Sequence, residues 1–419
     1  MIAMILKFLG GASEVGRSAF LLKGRQSVLL DYGIKLNHGV EYPEAANPDL
    51  LLLSHAHIDH SGYVPTLYNE GNVPAVCTEA TAALSELLLN DSIKVARKEH
   101  MPQRFHKRQI ASFLHRYTGV EYGSETQFGD FTVSMHDAGH ICGSAVTLIE
   151  GGGSKDSNRI VYTGDFKLGG QMMHSGAEVV KGDVLITEST YATKEHPGRD
   201  STMSRLVENI KSVLDNRGNA LLPVFAVGRS QELLALMKRH DLAQHVYLDG
   251  MARAATGIVL KHKRYVRNSN LLEGALRDAT VVEGREDREE ALGMPSIIMT
   301  TAGMLSGGPV LDYISRLRRN SEVLLTGYQV EGSNGRMLMD SGSVVVDGER
   351  TRIGSPVRYY DLSAHAGKEE LHEYARMCGP RRIICVHGDE GNAAQLAEEF
   401  KLEGFDAYAP KINDEIDLG

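Results

Sequence analysis

Three imidazoles and one carboxylate lie within six consecutive residues, on the side chains of His55, His57, Asp59 and His60. Imidazole nitrogen together with carboxylate oxygen is a donor set that suits zinc. The run Leu50–Leu53 directly precedes them; it is too short for a helix and is typical of a buried strand. A loop that follows such a strand can turn ligands of both kinds toward two adjacent ions. The stretch therefore predicts a metal centre rather than a chance histidine-rich loop in solvent.

Other strand ends must supply further ligands, because one short loop cannot complete two coordination spheres. His140 lies between glycines, where the backbone can approach closely. Asp165 follows Gly164 at a predicted strand end, and His387 follows the apolar run Ile383–Val386. Alone, each would be interpreted as a structural histidine or a turn aspartate. Together with the loop they provide enough ligands for a two-metal centre.

The elements that position these residues change character along the chain. Short strands and helices alternate at first, and regular strand–helix units follow, with a helix predicted over Met203–Leu214 by its apolar spacing. Such alternation predicts a mostly parallel sheet. From about Asp361 the pattern returns to strands that end in histidines, so we expect one domain interrupted by another. The expected parts are residues 1–194, 195–360 and 361–419, with buried strands in the middle part at Leu221–Phe225, Val246–Leu248, Ser296–Thr300 and Val323–Thr326.

The composition is that of an acidic chain without an apparent membrane span. The net charge is −9, and no apolar run reaches the ~18 uncharged residues of a transmembrane helix. Four scattered cysteines indicate a reducing cytosol and no disulfide framework, so we expect a cytoplasmic protein. An acidic chain would need a local basic surface to bind nucleic acid. The stretch Lys94–Arg116 could provide that surface, or it could be only a solvated helix face.

The HxHxDH stretch at 55–60, with the later histidines and aspartate, resembles the signature of the metallo-β-lactamase superfamily. The resemblance implies two Zn²⁺ per chain, bridged by Asp165. Asp31 matches the superfamily's first aspartate, which implies that it orients the ligand loop by hydrogen bonds and is not itself a ligand. The implied ligands are His55, His57 and His140 for one ion, and Asp59, His60 and His387 for the other.

Three further stretches resemble motifs A, B and C of the β-CASP nucleases. They are Thr187–Tyr191 with Glu188, Asp361–Ala366 with His365, and Val386–Asp389 with His387. The resemblance covers nearly the whole chain. It implies an α/β fold in which a metallo-β-lactamase αββα sandwich carries an inserted β-CASP parallel α/β domain. Stretches of the insert that match the β-CASP cassette are Pro223–Glu232, Gly303–Pro309 and Gly327–Gln329.

Within the β-CASP group the sequence is most similar to the archaeal relatives of the cleavage and polyadenylation specificity factor nuclease, notably at Ile58–Pro65. Two departures stand out. The chain begins directly with the nuclease fold, so we expect a short form without the N-terminal KH modules of longer archaeal relatives. Asn334 stands where related enzymes tend to have leucine, so we expect the local groove to differ from theirs.

The resemblance implies phosphodiester hydrolysis. Two nearby metal ions lower the pKa of a shared water and clamp a phosphate, and Asp59 and Asp165 would orient the resulting hydroxide. His365 is not needed as a ligand, so it can act as the general acid that protonates the leaving oxygen. Glu188 would orient His365 and raise its pKa. The alternative for His365 is a buried, hydrogen-bonded core histidine.

Two stretches of the cassette are candidate phosphate sites. Ser306, Gly307 and Gly308 precede an amphipathic stretch, Val310–Leu317, whose helix start would offer free backbone N–H groups. Arg229 opens another predicted helix after a strand and adds positive charge. Glycine-rich helix starts are common, so either stretch could instead be structural.

These features predict a zinc-dependent endoribonuclease that cuts single-stranded RNA during 3′-end processing or decay. A 5′–3′ exoribonuclease would use the same site, and a non-catalytic RNA-binding subunit would lack some of the ligands. A thioester or lactam hydrolase would not need so large a cassette between Glu188 and His365. We also expect a homodimer, from the resemblance and from the segment Phe405–Leu418, whose Ile412 and Ile416 have no obvious core partner.

Overall fold

The computed structural model describes residues 4–36, 39–151, 159–346 and 348–418. These residues fold into two compact units. The first unit holds the described residues up to Gly170, His174–Glu195 and those from His365 onward. The second unit holds Gln171–Met173 and His196–Ala364.

Short strands and a few helices make up the first unit. Up to residue 195 they are, in chain order, β1 (Ile5–Gly10), β2 (Ala19–Lys23), β3 (Ser27–Leu30), β4 (Lys35–Leu36), β5 (Val40–Glu41), β6 (Leu50–Leu52), α1 (Ile58–Ser61), β7 (Ala75–Cys77), α2 (Glu79–Lys98), α3 (Lys107–Arg116), β8 (Tyr117–Gly119), β9 (Glu125–Phe128), β10 (Phe131–Asp137), β11 (Ala145–Gly151), β12 (Arg159–Tyr162) and β13 (Val184–Glu188).

Strands and helices alternate in the second unit, and the first unit then resumes. The elements of the second unit are α4 (Arg199–Asp215), β14 (Asn219–Pro223), α5 (Arg229–Arg239), β15 (Val246–Asp249), α6 (Met251–Lys261), α7 (Ser269–Asp278), β16 (Thr280–Val281), α8 (Arg285–Gly293), β17 (Ser296–Thr300), α9 (Val310–Ile314), β18 (Glu322–Leu325), α10 (Asn334–Ser341), β19 (Ser343–Val346), β20 (Glu349–Arg352) and β21 (Val357–Tyr359). The first unit continues with α11 (Lys368–Cys378), β22 (Arg382–Val386), α12 (Glu390–Leu402), β23 (Asp406–Tyr408) and β24 (Glu415–Asp417). Short 3₁₀ helices lie at Val64–Tyr68, Ala243–His245 and Lys263–Tyr265.

Two seven-stranded sheets form the middle of the first unit, in the orders β24-β1-β2-β3-β6-β7-β8 and β23-β22-β13-β12-β11-β10-β9. Side chains of both sheets share one core, where the rings of Phe20 and Tyr162 meet edge to face. On the other face of the first sheet, Phe113 of α3 packs against strand residues together with α2. On the other face of the second sheet, Tyr374 of α11 and Phe400 of α12 do the same. These four layers confirm the predicted αββα sandwich.

The strand β6 shows why a four-leucine run precedes the ligand loop. It lies between β3 and β7 and is parallel to both. Leu50 and Leu52 point into the core between the sheets, whereas Leu51 and Leu53 point into the core beneath the helices. A strand that is buried on both faces reads as a continuous apolar run rather than an alternating one. Truncating one of these leucines to alanine would cost about 2–5 kcal/mol, so the strand anchors the loop firmly.

The C-terminal segment belongs to the core of the first unit, and the expectation that it lacks a core partner is wrong. β24 pairs antiparallel with β1, with Ile416 opposite Leu6. Leu418 is fully buried, and Ile412 and Ile416 pack against the core between the sheets. The alternation of apolar and charged residues is therefore that of an edge strand. It gives no support to a dimer.

A six-stranded sheet forms the second unit, in the order β16-β15-β17-β14-β18-β21. Every neighbouring pair is parallel, as the strand–helix alternation predicts. The predicted strands lie within two residues of the observed bounds. On one face, Tyr313 of α9 and Leu338 of α10 pack against Ile298 and Val323 of the sheet.

The four cysteines are buried and free, so they form no disulfide, as their spacing predicts. Burial raises the pKa of the Cys77, Cys142 and Cys385 thiols well above the ordinary value. No helix within the described ranges is long and apolar enough to cross a membrane.

Candidate metal centre and active site

The first sheet delivers the histidine loop to the edge where β3 and β6 end. These strands are parallel, so Asp31 after β3 and His55 after β6 emerge side by side. A single helical turn, α1, then carries Asp59 and His60. Gly33 passes the loop at close range, since a Cβ there would lie 1.7 Å from the carbonyl oxygen of Asp59. Only glycine allows this approach, and the ligand loop is held backbone to backbone.

The second sheet brings three more site residues to one edge. β12, β13 and β22 are neighbouring parallel strands. Asp165 follows β12, Glu188 ends β13 and His387 follows β22. Parallel strands present their carboxyl ends at the same sheet edge, which is where such folds place ligands. His140 enters from the turn between β10 and β11, where Gly139 has a φ of +66° and a Cβ would lie 2.5 Å from the carbonyl oxygen of Lys167.

One group of candidate ligands contains His55, His57, His140 and Asp165, whose ligand atoms all lie within 4.8 Å of one another. His140 Nε2 is 3.1 Å from His57 Nδ1. His55 Nε2 is 3.4 Å, and His140 Nε2 3.8 Å, from Asp165 Oδ2. Ligands about 2.0–2.1 Å from a tetrahedral zinc are about 3.3–3.4 Å apart. The spacing of this group therefore fits one zinc ion.

A second group contains Asp59, His60 and His387. His387 Nε2 lies 3.6 Å from Asp59 Oδ2 and 3.7 Å from Asp165 Oδ1. His60 Nε2 lies 3.3 Å from Asp165 Oδ2. The carboxylate of Asp165 thus faces both groups, which is the position of a bridging ligand.

Several atoms that point into this space are buried and have no hydrogen-bond partner. They are Nε2 of His55, His60 and His387, and Oδ1 of Asp165. An unsatisfied buried polar atom costs about 1–3 kcal/mol, so their convergence is best explained by a bound cation. The donor set and the spacing both fit metal ions.

The other nitrogen of each of these rings contacts an acceptor. Nδ1 of His60 is 2.7 Å from Asp31 Oδ2, and Nδ1 of His387 is 2.7 Å from Ser18 Oγ. Nδ1 of His55 is 3.0 Å from the hydroxyl of Ser54, whose own hydrogen goes to Asp31. An N–H at Nδ1 leaves the lone pair on Nε2, directed at the metal space. Partners of this kind fix the tautomer and ring orientation of metal-binding histidines.

Asp31 is buried beneath the ligand loop, where its carboxylate contacts several neighbouring side chains and can orient the loop. It accepts hydrogen bonds from the backbone and hydroxyl of Ser54 and from the hydroxyl of Tyr162. Its φ is +57°, and that of His387 is +48°. A left-handed backbone in a non-glycine residue is uncommon and clusters at functional sites.

Ser18, Ser54 and Tyr162 also contact the candidate ligands or Asp31, and no motif in the sequence identifies them. Ser54 directly precedes the ligand loop and Tyr162 lies three residues before Asp165, so proximity to ligands was an available signal. No signal in the sequence marks Ser18, because its partner His387 is 369 residues away.

Electrostatics in the site favour a cation. Burial and the neighbouring histidines hold the pKa of His55 well below the ordinary value, which keeps its ring neutral. Burial also lowers the pKa of His60, but Asp165 and Asp31 outweigh that effect and hold it well above the ordinary value. The carboxylates therefore create a field in which positive charge is stabilised.

His365 and Glu188 form a pair beside the metal space. Nδ1 of His365 is 2.9 Å from Glu188 Oε2, and the backbone N–H of Phe166 donates to Glu188 Oε1 at 2.9 Å. Glu188 is buried, whereas the His365 side chain is 23% exposed. Burial lowers the pKa of His365, but Glu188 and then Asp165 raise it to about 9 overall. A histidine with a raised pKa holds its proton near neutral pH, and the contact with Glu188 limits the rotation of its ring.

Comparison with known proteins agrees with this arrangement. Residues 33–224 match the beta-lactamase superfamily domain, 230–338 the Beta-Casp domain, and 352–410 a Zn-dependent metallo-hydrolase RNA specificity domain. The chain is 37% identical to the probable RNase MJ4 of Methanocaldococcus jannaschii, over 99% of this chain and 100% of that protein. It belongs to the β-CASP family of metallo-β-lactamase-fold ribonucleases. It is therefore a metal-dependent ribonuclease of the archaeal type that the sequence resembles.

Other relatives of this β-CASP ribonuclease are also archaeal. It is 32% identical to RNase aCSPSF2 of Saccharolobus solfataricus, over 99% of this chain and 85% of that protein. It is 32% identical to transcription termination factor FttA of Methanothermobacter thermautotrophicus, over 94% of this chain and 68% of that protein. Among solved structures, a protein of unknown function from Enterococcus faecalis matches with a TM-score of 0.64 and 14% identity, over 99% of this chain and 100% of that one. That last likeness shows the fold alone.

In the second unit, the residues predicted to contact phosphate have less favourable positions for that role than the sequence suggests. Ser306, Gly307 and Gly308 precede a helix of only five residues, Val310–Ile314, so the expected helix to Leu317 is wrong. Pro309 caps this helix. The first backbone N–H of the helix, that of Val310, already donates to the carbonyl of Thr301. A single helical turn has little dipole to offer a phosphate. The glycines nevertheless keep the loop exposed or half-buried.

Arg229 begins α5 directly after Gly228, which has a φ of +87°, and its side chain is largely buried. The departure at Asn334 is structural. Its amide donates to the carbonyls of Leu305 and Val345 and accepts from the Val345 N–H. Asn334 therefore connects the start of α10 to β19 and to the loop that contains Leu305. Leucine could not do so, because its side chain forms no hydrogen bonds.

The basic stretch Lys94–Arg116 spans the end of α2, a connecting loop and α3. Its lysines and arginines are exposed, and Arg104 stacks 4.8 Å from the ring centroid of Tyr42. The stretch therefore presents positive charge to solvent.

Proposed function

We propose that this protein is a dinuclear zinc endoribonuclease that hydrolyses phosphodiester bonds of single-stranded RNA. One observation carries the proposal: Asp165 faces both ligand groups, and neither group needs the His365–Glu188 pair beside them, although that pair together with Asp165 has the spacing of metal ligands as well. Ligand completeness argues against a non-catalytic RNA-binding subunit, in which loss of ligands would be tolerated.

The residues divide the chemistry among themselves. Zinc ions held by His55, His57 and His140, and by Asp59, His60 and His387, would supply a nucleophile from water near neutral pH and neutralise phosphate charge. Asp59 and Asp165 carry carboxylate oxygens that can accept hydrogen bonds from the attacking water and so orient it. His365 holds the proton that the leaving oxygen requires, and Glu188 keeps that imidazole in orientation.

Internal cleavage is favoured over cleavage from the 5′ end by the sequence. Its motifs account for the metal centre and the cassette, and none of them is a dedicated binding site for a 5′-monophosphate. The relatives named RNases and transcription termination factors suggest work at RNA 3′ ends, in processing or decay. Phosphate-directed contacts from Arg229 and the Ser306–Gly308 loop would carry little sequence information. Cutting should therefore follow the accessibility of unpaired RNA.

A circular single-stranded RNA tests the mode of cleavage, with a linear RNA of the same sequence beside it. The purified enzyme should linearise the circle, and a 5′-triphosphate should not protect the linear RNA. Survival of the circle while monophosphorylated linear RNA is degraded to mononucleotides would establish the exonuclease instead.

The homodimer remains a proposal that rests on the family resemblance, since the C-terminal segment is part of the core. Light scattering at micromolar concentration distinguishes a dimer from a particle of 45.8 kDa.

A further inference from the structure

An open cavity of about 360 Å³ lies in the second unit. It is lined by residues of two segments, 314–321 and 351–356. These segments lead into the amino ends of β18 and β21. The predicted phosphate contacts, by contrast, follow the carboxyl ends of β14 and β17. The cavity is therefore at the opposite edge of this sheet from Arg229 and the Ser306–Gly308 loop.

The lining of the cavity is strongly basic. It includes three arginines, Arg318, Arg319 and Arg352, and no aspartate or glutamate. Such a lining is unexpected in a chain whose net charge is −9. Hydroxyl groups of Ser315, Thr351 and Ser355 and the side chain of Asn320 add further polar groups.

These arginines differ from their neighbours in their partners. Arg316 pairs with Glu289 and Asp312, and Arg358 pairs with Glu322. Arg319 and Arg352 are exposed, and no carboxylate of the described residues lies within ion-pair distance of either. Unpaired positive charges around a cavity repel one another, so they are stabilised by a bound anion. Arg318 donates to the carbonyl of Gly293 at 3.0 Å, which holds its guanidinium in place.

The chemistry of the lining indicates the class of ligand. The planar arginine fork matches phosphate oxygens and can donate two parallel hydrogen bonds. The lining contains no aromatic side chain, so it offers no platform on which a base could stack. We propose that this arginine cavity is an exosite for the phosphodiester backbone of the single-stranded RNA substrate, without base preference. This inference rests on the proposed function, because it takes the ligand to be the substrate strand.

A double charge reversal, Arg319→Glu with Arg352→Glu, tests the exosite. The matched control is Arg239→Glu with Arg285→Glu, two exposed arginines of the same unit that lie outside the cavity lining and whose reversal changes the net charge equally. For a long single-stranded RNA the cavity variant should raise KM about tenfold with kcat unchanged. KM for a dinucleotide, whose single phosphodiester can occupy only one site at a time, should stay the same. The slope of log K against log salt should fall by about 1.4, the value for two single-strand phosphate contacts.

Each outcome decides between the exosite and its rivals. An equal rise in KM for the control pair would show a general field effect and overturn the proposal. Loss of binding to polyglutamate with RNA binding unchanged would overturn it in favour of an acidic protein partner. If the wild-type protein cuts no RNA, the proposed function fails, and fluorescence anisotropy with labelled single-stranded RNA still tests the cavity. The milder pair Arg319→Gln and Arg352→Gln should then lose part of the binding that the reversal loses.

Discussion

Nδ1 of His60 lies 2.7 Å from Oδ2 of Asp31, and both side chains are fully buried. This contact links the end of β3 to the ligand loop after β6, and Ser54 and Tyr162 donate to the same carboxylate. The orientation of His60 thus depends on a residue that belongs to neither ligand group as we assign them.

Replacing Asp31 with alanine should lower metal affinity about 10–100-fold, the usual cost of losing a hydrogen-bond partner of a metal-binding histidine. Metal content after dialysis against a competing chelator measures the effect, and the thermal midpoint should fall with it. The control is Asp130→Ala, an exposed aspartate that pairs only loosely with Arg25. Two metal ions per chain are expected in the wild-type protein. Equal retention of metal by both variants would remove Asp31 from the supporting role.

Replacing His365 with alanine should reduce kcat by roughly 10²–10⁴ and leave metal content and RNA binding near normal. Glu188→Gln should reduce kcat less, because the amide oxygen can still accept from the ring but carries no charge. The control is His372→Ala, a buried histidine of the same unit that also contacts carboxylates, those of Glu399 and Glu403. Loss of one metal ion from His365→Ala would make His365 a ligand and reopen the assignment of His387.

Arg199 should act as a positioning residue for the segment that leads to His365. Its guanidinium donates to the carbonyl of Ser363 at 3.1 Å and pairs with buried Glu232 at 3.1 Å. Glu232 in turn accepts the backbone N–H groups of Met172 and Met173. Removing one partner of a buried ion pair costs about 3–5 kcal/mol.

Arg199→Ala should therefore lower the thermal midpoint and reduce kcat more than it changes KM. Arg199→Lys keeps the charge and should recover part of the stability but less of kcat, since lysine cannot donate to two partners in the same fork. A variant that loses stability while kcat at low temperature is unchanged would assign Arg199 a purely structural role.

Asp137 should make stability depend on pH. Burial raises its pKa to about 6; the Gly139 amide opposes this shift and Glu178 adds to it. The folded state therefore holds the proton more tightly than the unfolded chain, whose aspartates titrate near pH 3.9. Between about pH 4 and pH 6 the folded state binds more protons, so the free energy of unfolding falls as pH rises, by about 3 kcal/mol for this group.

Asp137→Asn keeps an acceptor for the Gly139 amide and removes the charge. The variant should be more stable than the wild type at pH 7–8, with an advantage that vanishes near pH 4. Chemical denaturation of metal-saturated protein across this range measures it, with Asp130→Asn as the exposed control. If the stability difference between variant and wild type does not change with pH, ionisation of Asp137 does not lower the free energy of unfolding.

The sequence by itself determined the family and the fold, and it indicated the candidate metal ligands that the fold gathers into two groups. The HxHxDH spacing lies within six consecutive residues. The strand β6 is buried on both faces and has an uninterrupted apolar sequence, so a few consecutive residues predict both the ligand loop and its strand. The parallel sheet of the second unit follows likewise from strand–helix alternation, because each unit of that alternation folds locally.

Only the tertiary structure decided which distant residues meet. Ser18 contacts His387, 369 residues away in the sequence, and Arg199 donates to the backbone carbonyl of Ser363, close to His365. No periodic pattern in the sequence predicts either contact. The helix after Gly308 ends at Ile314 although apolar spacing continues to Leu317, because helix length is set by packing as well as by pattern. The apolar residues of the C-terminal segment face the core only because β24 pairs with β1, which lies at the opposite end of the chain. Long-range pairing of this kind depends on the folded arrangement of all the strands between, which local pattern does not encode.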